Sequence, residues 1–79
     1  MIYKMYTMFD KCSGQYSQPI FALNDQMAKR EFIRFCSDDK ISFMAADLQL
    51  YCCGSFDVES GKIEPCFDFV AGGGNGEEN

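Results

Sequence analysis

The sequence predicts an α+β domain: a small antiparallel four-stranded sheet with one helix packed on one face, in the order ββ-α-ββ. Three observations predict it. A phrase occurs twice, as Phe9-Asp10-Lys11-Cys12-Ser13-Gly14-Gln15-Tyr16 and as Phe56-Asp57-Val58-Glu59-Ser60-Gly61-Lys62-Ile63. Each copy is followed by Pro and an apolar pair, Pro19-Ile20-Phe21 and Pro65-Cys66-Phe67. Alternating apolar runs flank each phrase, and Asp and Gly inside it turn the backbone, so each copy reads as a hairpin. Between the hairpins lies one amphipathic stretch of helical period.

Residues 2–9 read as the first strand. Tyr3, Met5, Thr7 and Phe9 share one face and Ile2, Lys4, Tyr6 and Met8 the other. Neither face is cleanly polar, which suits a central strand. Residues 10–15 form the first loop and residues 16–23 return as a strand. Pro19 within it lacks an N–H, so that strand belongs at an edge or is irregular.

Asn24 is the helix start, because its side-chain oxygen can accept a bond from a free N–H of the first turn, and Asp25 complements the helix dipole. The predicted helix spans 25–37, with Ala28, Phe32, Phe35 and Cys36 as its core stripe. Ser37-Asp38-Asp39 ends it, since short polar side chains compete for backbone bonds. A short helical turn is expected around 42–46. Residues 47–56 are the clearest strand, with Leu48, Leu50, Cys52 and Phe56 facing one way and Gln49, Tyr51, Cys53 and Ser55 the other. Residues 62–70 close the sheet, with Ile63, Phe67 and Phe69 opposed to Glu64, Cys66 and Asp68, and Pro65 again suggests an edge. Residues 1–70 make a single domain, and 71–79 read as a disordered, Gly-rich acidic tail.

A chain of 79 residues with 47% apolar content, eight Phe and four Tyr has enough apolar matter for one core. It is still near the lower size limit, so a homodimer or another partner would help it. Net charge is −5 and is uneven. Residues 1–40 hold six Lys/Arg against five Asp/Glu, and residues 41–79 hold one against seven. That balance argues against a general polyanion binder and confines any nucleic-acid contact to the first half. No apolar run approaches the ~20 residues of a membrane span. No signal peptide is legible, since Lys4 and Asp10 break the N-terminal apolar run. Five Cys without a Cys-x-x-Cys spacing fit reduced thiols in a cytoplasm.

No catalytic motif is legible, and no enzyme is expected. The chain has no His, the commonest general base and metal ligand. Cys52 and Cys53 are adjacent on a strand and point to opposite faces, so they do not chelate one ion together. Nothing in the spacing of Cys12, Cys36, Cys53 and Cys66 favours zinc, and no cofactor is expected. Gly72-Gly73-Gly74 lacks the Lys-Ser/Thr and the helix of a phosphate loop.

Two features bear on binding. One helix cannot hide both sides of a sheet, and if Phe32 and Phe35 cover Leu48, Leu50 and Phe56, the opposite face exposes Lys4, Tyr6, Gln49 and Tyr51. Lys4, Tyr6 and Tyr51 then have the make-up of a stacking platform for single-stranded nucleic acid. Burial of the same tyrosines in a homodimer stays open, because aromatics also dominate protein interfaces. Lys29, Arg30 and Arg34 form a small basic patch on the helix, readable as phosphate contacts or as a solvated face.

Several spaced motifs stand out in order: Phe9-Asp10-Lys11, Tyr16, Gln18-Pro19-Ile20-Phe21-Ala22, Asn24-Asp25, Ala28, Arg30 and Phe32. The second half continues with Asp47-Leu48-Gln49-Leu50-Tyr51, Gly54-Ser55-Phe56-Asp57 and Gly61-Lys62-Ile63. Together they resemble a small nonstructural protein of gokushovirus-type microviruses, which are single-stranded DNA bacteriophages, with Ser55 where that family commonly has Glu. The resemblance covers roughly residues 2–67. It implies a non-enzymatic protein of the host cell cytoplasm that binds single-stranded DNA or assists viral genome synthesis or packaging. The alternative it leaves is an interaction module that contacts itself, or viral or host replication or procapsid proteins, without touching DNA.

Overall fold

The computed structural model describes residues 1–73 and is an α+β domain. Strand β1 (Ile2–Asp10) is followed by the short strands β2 (Gln15–Tyr16) and β3 (Ile20–Ala22). Helix α1 (Asp25–Cys36) and a 3-10 helix (Ser42–Asp47) lead into β4 (Leu48–Asp57) and β5 (Ile63–Gly72). All pairings are antiparallel, in the order β2-β1-β4-β5, with β3 also paired to β1. The sheet therefore has five strands, where the sequence predicts four. The expected strand over 16–23 is broken in two at Ser17-Gln18-Pro19, where Pro19 has no N–H to give to the ladder. Ser17 bridges the gap. Its N–H donates to the Met8 carbonyl (2.8 Å), its Oγ accepts from the Met8 N–H (3.0 Å), and its carbonyl accepts from Thr7 Oγ1 (2.7 Å).

The repeated phrase is a repeated turn. Asp10 Oδ1 accepts from the Cys12 N–H at 2.9 Å, and the Gly14 N–H donates to the Asp10 carbonyl at 2.8 Å. In the second copy, Asp57 Oδ1 accepts from the Glu59 N–H at 3.0 Å and the Gly61 N–H donates to the Asp57 carbonyl at 2.7 Å. Both turns close through a glycine at positive φ, +74° at Gly14 and +75° at Gly61. The carboxylate side chain thus fixes the first half of each turn and the absence of a Cβ permits the second.

Helix α1 starts as expected, with Asn24 Oδ1 accepting from the Met27 N–H at 2.9 Å. It stops one residue short of the expected end. Ser37 caps it, its hydroxyl donating to the Ile33 carbonyl at 2.8 Å. Ala28, Phe32 and Cys36 are buried, but Phe35 is 40% exposed and does not join the stripe. The core that these residues form with the sheet contains Tyr6, Leu48, Leu50, Cys52, Val70 and Ala71, closed at one end by Ala45 of the 3-10 helix.

Register decides which strand residues meet the helix. Residues directly opposite in an antiparallel pair place their side chains on the same face. Tyr6 lies opposite Cys52 and Met8 opposite Leu50, so Lys4, Tyr6 and Met8 stand on the helix side with Leu48, Leu50 and Cys52. The register slips by one between Met5 and Tyr6, where Cys53 is the extra residue. Such a bulge turns the later residues of the strand over. Phe56 therefore pairs with Tyr3 on the helix-free face, not with Leu48 and Leu50 as strict alternation predicts. Strand β5 continues through Ala71, which is 1% exposed, to Gly72, so these residues belong to the sheet and not to the expected tail. Residues 74–79 of that tail lie outside the described residues.

The turns give a direct test. No atom would crowd a Cβ at Gly14 or Gly61, so Ala there is penalised only by the left-handed backbone, about 1 kcal/mol at each site. Gly14→Ala and Gly61→Ala should each lower stability by that amount in urea unfolding, and by the sum together, since the turns are at opposite ends of the sheet. Gly61→Asn should lose less, because Asn tolerates this conformation.

Candidate binding face

The sequence-predicted platform residues divide between the two sides of the sheet. Tyr6 is fully buried beneath α1. Its hydroxyl donates to Asp25 Oδ1 at 2.6 Å, and Lys4 Nζ reaches the same oxygen at 3.1 Å. Tyr51 lies opposite Thr7 on the helix-free face. Tyr6 and Lys4 therefore do not share a surface with Tyr51, and Tyr6 is not available for stacking. The reason is register, a non-local property: Tyr6 fills the core with a large ring, and its hydroxyl finds a carboxylate at the helix start.

Lys29, Arg30 and Arg34 sit on α1, which covers the other side of the sheet from Tyr51. Lys29 is half-buried, Arg30 and Arg34 are exposed, and Arg34 pairs with Glu31 at 3.4 Å. The basic patch and the tyrosine at position 51 are thus on opposite sides of the molecule.

The electrostatics of the Tyr6 site are those of a shared anion. The Tyr6 hydroxyl, and then Lys4, hold the Asp25 carboxyl below the usual carboxylate range. Burial and that same hydrogen bond raise Tyr6, and the Asp25 contact raises Lys4. Asp25 also occupies the first turn of α1, where a negative charge meets the free N–H groups.

What the helix-free face presents instead is a continuous set of aromatic rings. Phe9 and Tyr16 lie 4.7 Å apart, and Tyr16 meets Phe67 edge-on at 5.8 Å. Tyr51 stacks on Phe67 at 4.5 Å with 14° between the planes and touches Phe69 at 5.7 Å. Further along the strands Phe21 meets Phe56 at 6.0 Å, and these two line an apolar hollow with Tyr3 and Val58. Tyr16 and Phe67 belong to the two outer strands, separated by β1 and β4. In a flat sheet those strands would be about 14 Å apart. Their rings meet because the two side chains lean toward each other across the middle strands. The slips in register between β4 and β5, near Leu50/Tyr51 and Cys52/Gly54, supply extra twist there.

Two properties set this face apart. Its outermost rings, Tyr16 and Phe67, remain 52% and 55% exposed. Among the described strand residues, no Asp, Glu, Lys or Arg is paired on it: Lys4, Asp10, Asp57, Glu64 and Asp68 all register with the helix side. The alternation of 2–9 and 62–70 already grouped Tyr3 with Phe9 and Phe67 with Phe69. Their union with Tyr16 and Tyr51 required the strand pairing.

Among the described residues, no group of three His, Cys, Asp or Glu side chains converges as a metal site, and no helix is long and apolar enough to cross a membrane. Burial pushes the Cys36 and Cys53 thiols up, away from thiolate character.

A family model described as Phage ORF5 protein matches residues 3–74. The chain belongs to that family. No curated protein and no solved structure matches it.

The Tyr6 contact makes a prediction with a defined pH sign. A carboxyl held low in the fold adds stability that is present above its unfolded value, about 3.9, and is lost as pH falls through the folded value. Tyr6→Phe removes the main cause of the depression. It should lower stability by about 1–2 kcal/mol at pH 7, with a smaller deficit at pH 2 than at pH 7 in urea unfolding. An equal deficit at both would show that the hydroxyl does not act on the Asp25 carboxylate.

Proposed function

We propose that this phage protein works by binding, without catalysing a reaction, and that its ligand is single-stranded DNA during viral genome synthesis or packaging in the host cytoplasm. The observation that carries the reading is the stacked aromatic face, with Tyr16 and Phe67 half exposed beside Tyr51. Stacking on such rings is favourable for every base and needs no sequence readout. Family membership and the resemblance to microvirus nonstructural proteins support the phage setting. The platform differs from the one the sequence suggests: Tyr51 stays, Tyr6 leaves, and Tyr16 and Phe67 take its place.

A second reading is favoured by charge. Among the described strand residues the face has no paired cation for a phosphate, and the chain carries −5 overall. A neutral aromatic surface on an acidic protein also suits a protein partner, either a second copy or a viral or host replication or procapsid protein. Lys29, Arg30 and Arg34 would then be a solvated helix face.

Fluorescence anisotropy of a labelled single-stranded oligonucleotide over a salt series separates the two. Binding by stacking should be lost at least ~10-fold in Tyr16→Ala/Phe67→Ala, given about 1–3 kcal/mol per stacked base. The slope against log salt should be shallow, since few phosphates are neutralised. A steep slope abolished by Lys29→Ala/Arg30→Ala/Arg34→Ala would move the DNA site to the helix. No binding at low salt would favour the protein-partner reading, to be followed by sedimentation equilibrium.

A further inference from the structure

Cys52 and Cys66 bring two thiols into contact on the helix side of the sheet, away from the aromatic face. Their sulfurs are 3.6 Å apart, and the Cys66 thiol also lies 3.5 Å from the Cys52 carbonyl. They stand on neighbouring strands β4 and β5 at the point where the pairing slips between Cys52 and Gly54. Cys52 is buried, 4% exposed, on the helix side, and Cys66 is exposed to solvent. One member is thus open to a reagent and the other is held beneath it. A disulfide would bring the sulfurs closer by about 1.5 Å, within the reach of side-chain rotation at an irregular point of the ladder.

We propose that Cys52 and Cys66 are a modification site, at which a low-molecular-weight disulfide converts the dithiol to an intrachain disulfide. The Cys66 thiolate attacks one sulfur of the small disulfide, forming a mixed disulfide and releasing one small thiolate. The Cys52 thiolate then attacks the Cys66 sulfur, forming the Cys52–Cys66 bond and releasing the second. The protein pair loses two electrons, the small disulfide gains them, and the two thiol protons leave with the two released thiols. Cys66 is exposed as a residue, but its sulfur is partly covered against β4. That local desolvation and the contact with Cys52 push its thiol up to about 11, so the exchange is slow at neutral pH and its end point, not its rate, is the readout.

The bond would tie the outer strand β5, which carries Phe67 and Phe69, to β4, which carries Tyr51. It would close a loop between residues 14 apart in sequence. The proposal is independent of what the aromatic face binds.

The test is incubation of the full chain with excess oxidised glutathione, followed by intact mass and peptide mapping. The expected product is a monomer that has lost two hydrogens, with 52 linked to 66, formed also by Cys53→Ser and not by Cys66→Ser. Position 66 is exposed, so that variant should keep its fold. Thermal unfolding of the oxidised chain should rise by on the order of 10 °C, reversed by reductant. A linkage through Cys12, Cys36 or Cys53, a glutathione adduct that persists on Cys66, or unchanged thiols would each overturn it.

Discussion

The hydrogen bond from the Tyr6 hydroxyl to Asp25 ties the middle of the sheet to the start of the helix. A phenol buried without a partner is penalised by roughly the desolvation of its hydroxyl. Tyr6 can therefore sit at the bottom of the core only where an acceptor reaches it. Asp25 provides one from a position where its charge is already favoured by the helix N-terminus. The same carboxylate draws Lys4 to the helix side. Once Tyr6 is inside, antiparallel pairing sends Leu50 and Cys52 inside with it and turns Tyr3, Phe9 and Tyr51 out.

The turned-out residues explain the shape of the other face. Four-strand width gives too much apolar surface for one helix of twelve residues to cover. The aromatic residues left over reduce their own exposure by packing on one another, with Tyr16 of β2 and Phe67 of β5 meeting over the middle strands. Bulges give the backbone the slack to do so. The result is partial shelter. Tyr51, Phe9 and Phe69 are half-buried, while the two outer rings remain about half exposed. A face whose rings are already packed on one another is partly organised for a flat ligand.

Local chemistry was readable in the sequence, and non-local chemistry was not. Asn24 caps the helix because one side chain meets one nearby N–H, and the Asp–Gly turns close within five residues. These are short-range events whose residues carry their own cause. The break at Pro19 was half readable: irregularity could be expected, but the way Ser17 repairs it depends on Thr7 and Met8 across the hairpin. The side of Tyr6 was unreadable, because it rests on register between strands separated by some forty positions in sequence. Phe56 failed for a related reason. One extra residue at Cys53 reverses the alternation that period-two reasoning extends through it.

Charge and aromaticity are segregated on this small molecule, and that segregation limits how it can hold a polymer. Phosphate contact and base stacking usually combine on one surface, with cations tracking the backbone beside the rings. Here the helix carries Lys29, Arg30 and Arg34, the rings lie across the sheet from them, and the strand charges register away from the rings. A strand stacked on the aromatic face would draw little from counterion release, so its affinity would rest on stacking and desolvation. That is a weak hold for one chain of 79 residues. It becomes useful where several copies act along one strand, each contributing a few stacked bases.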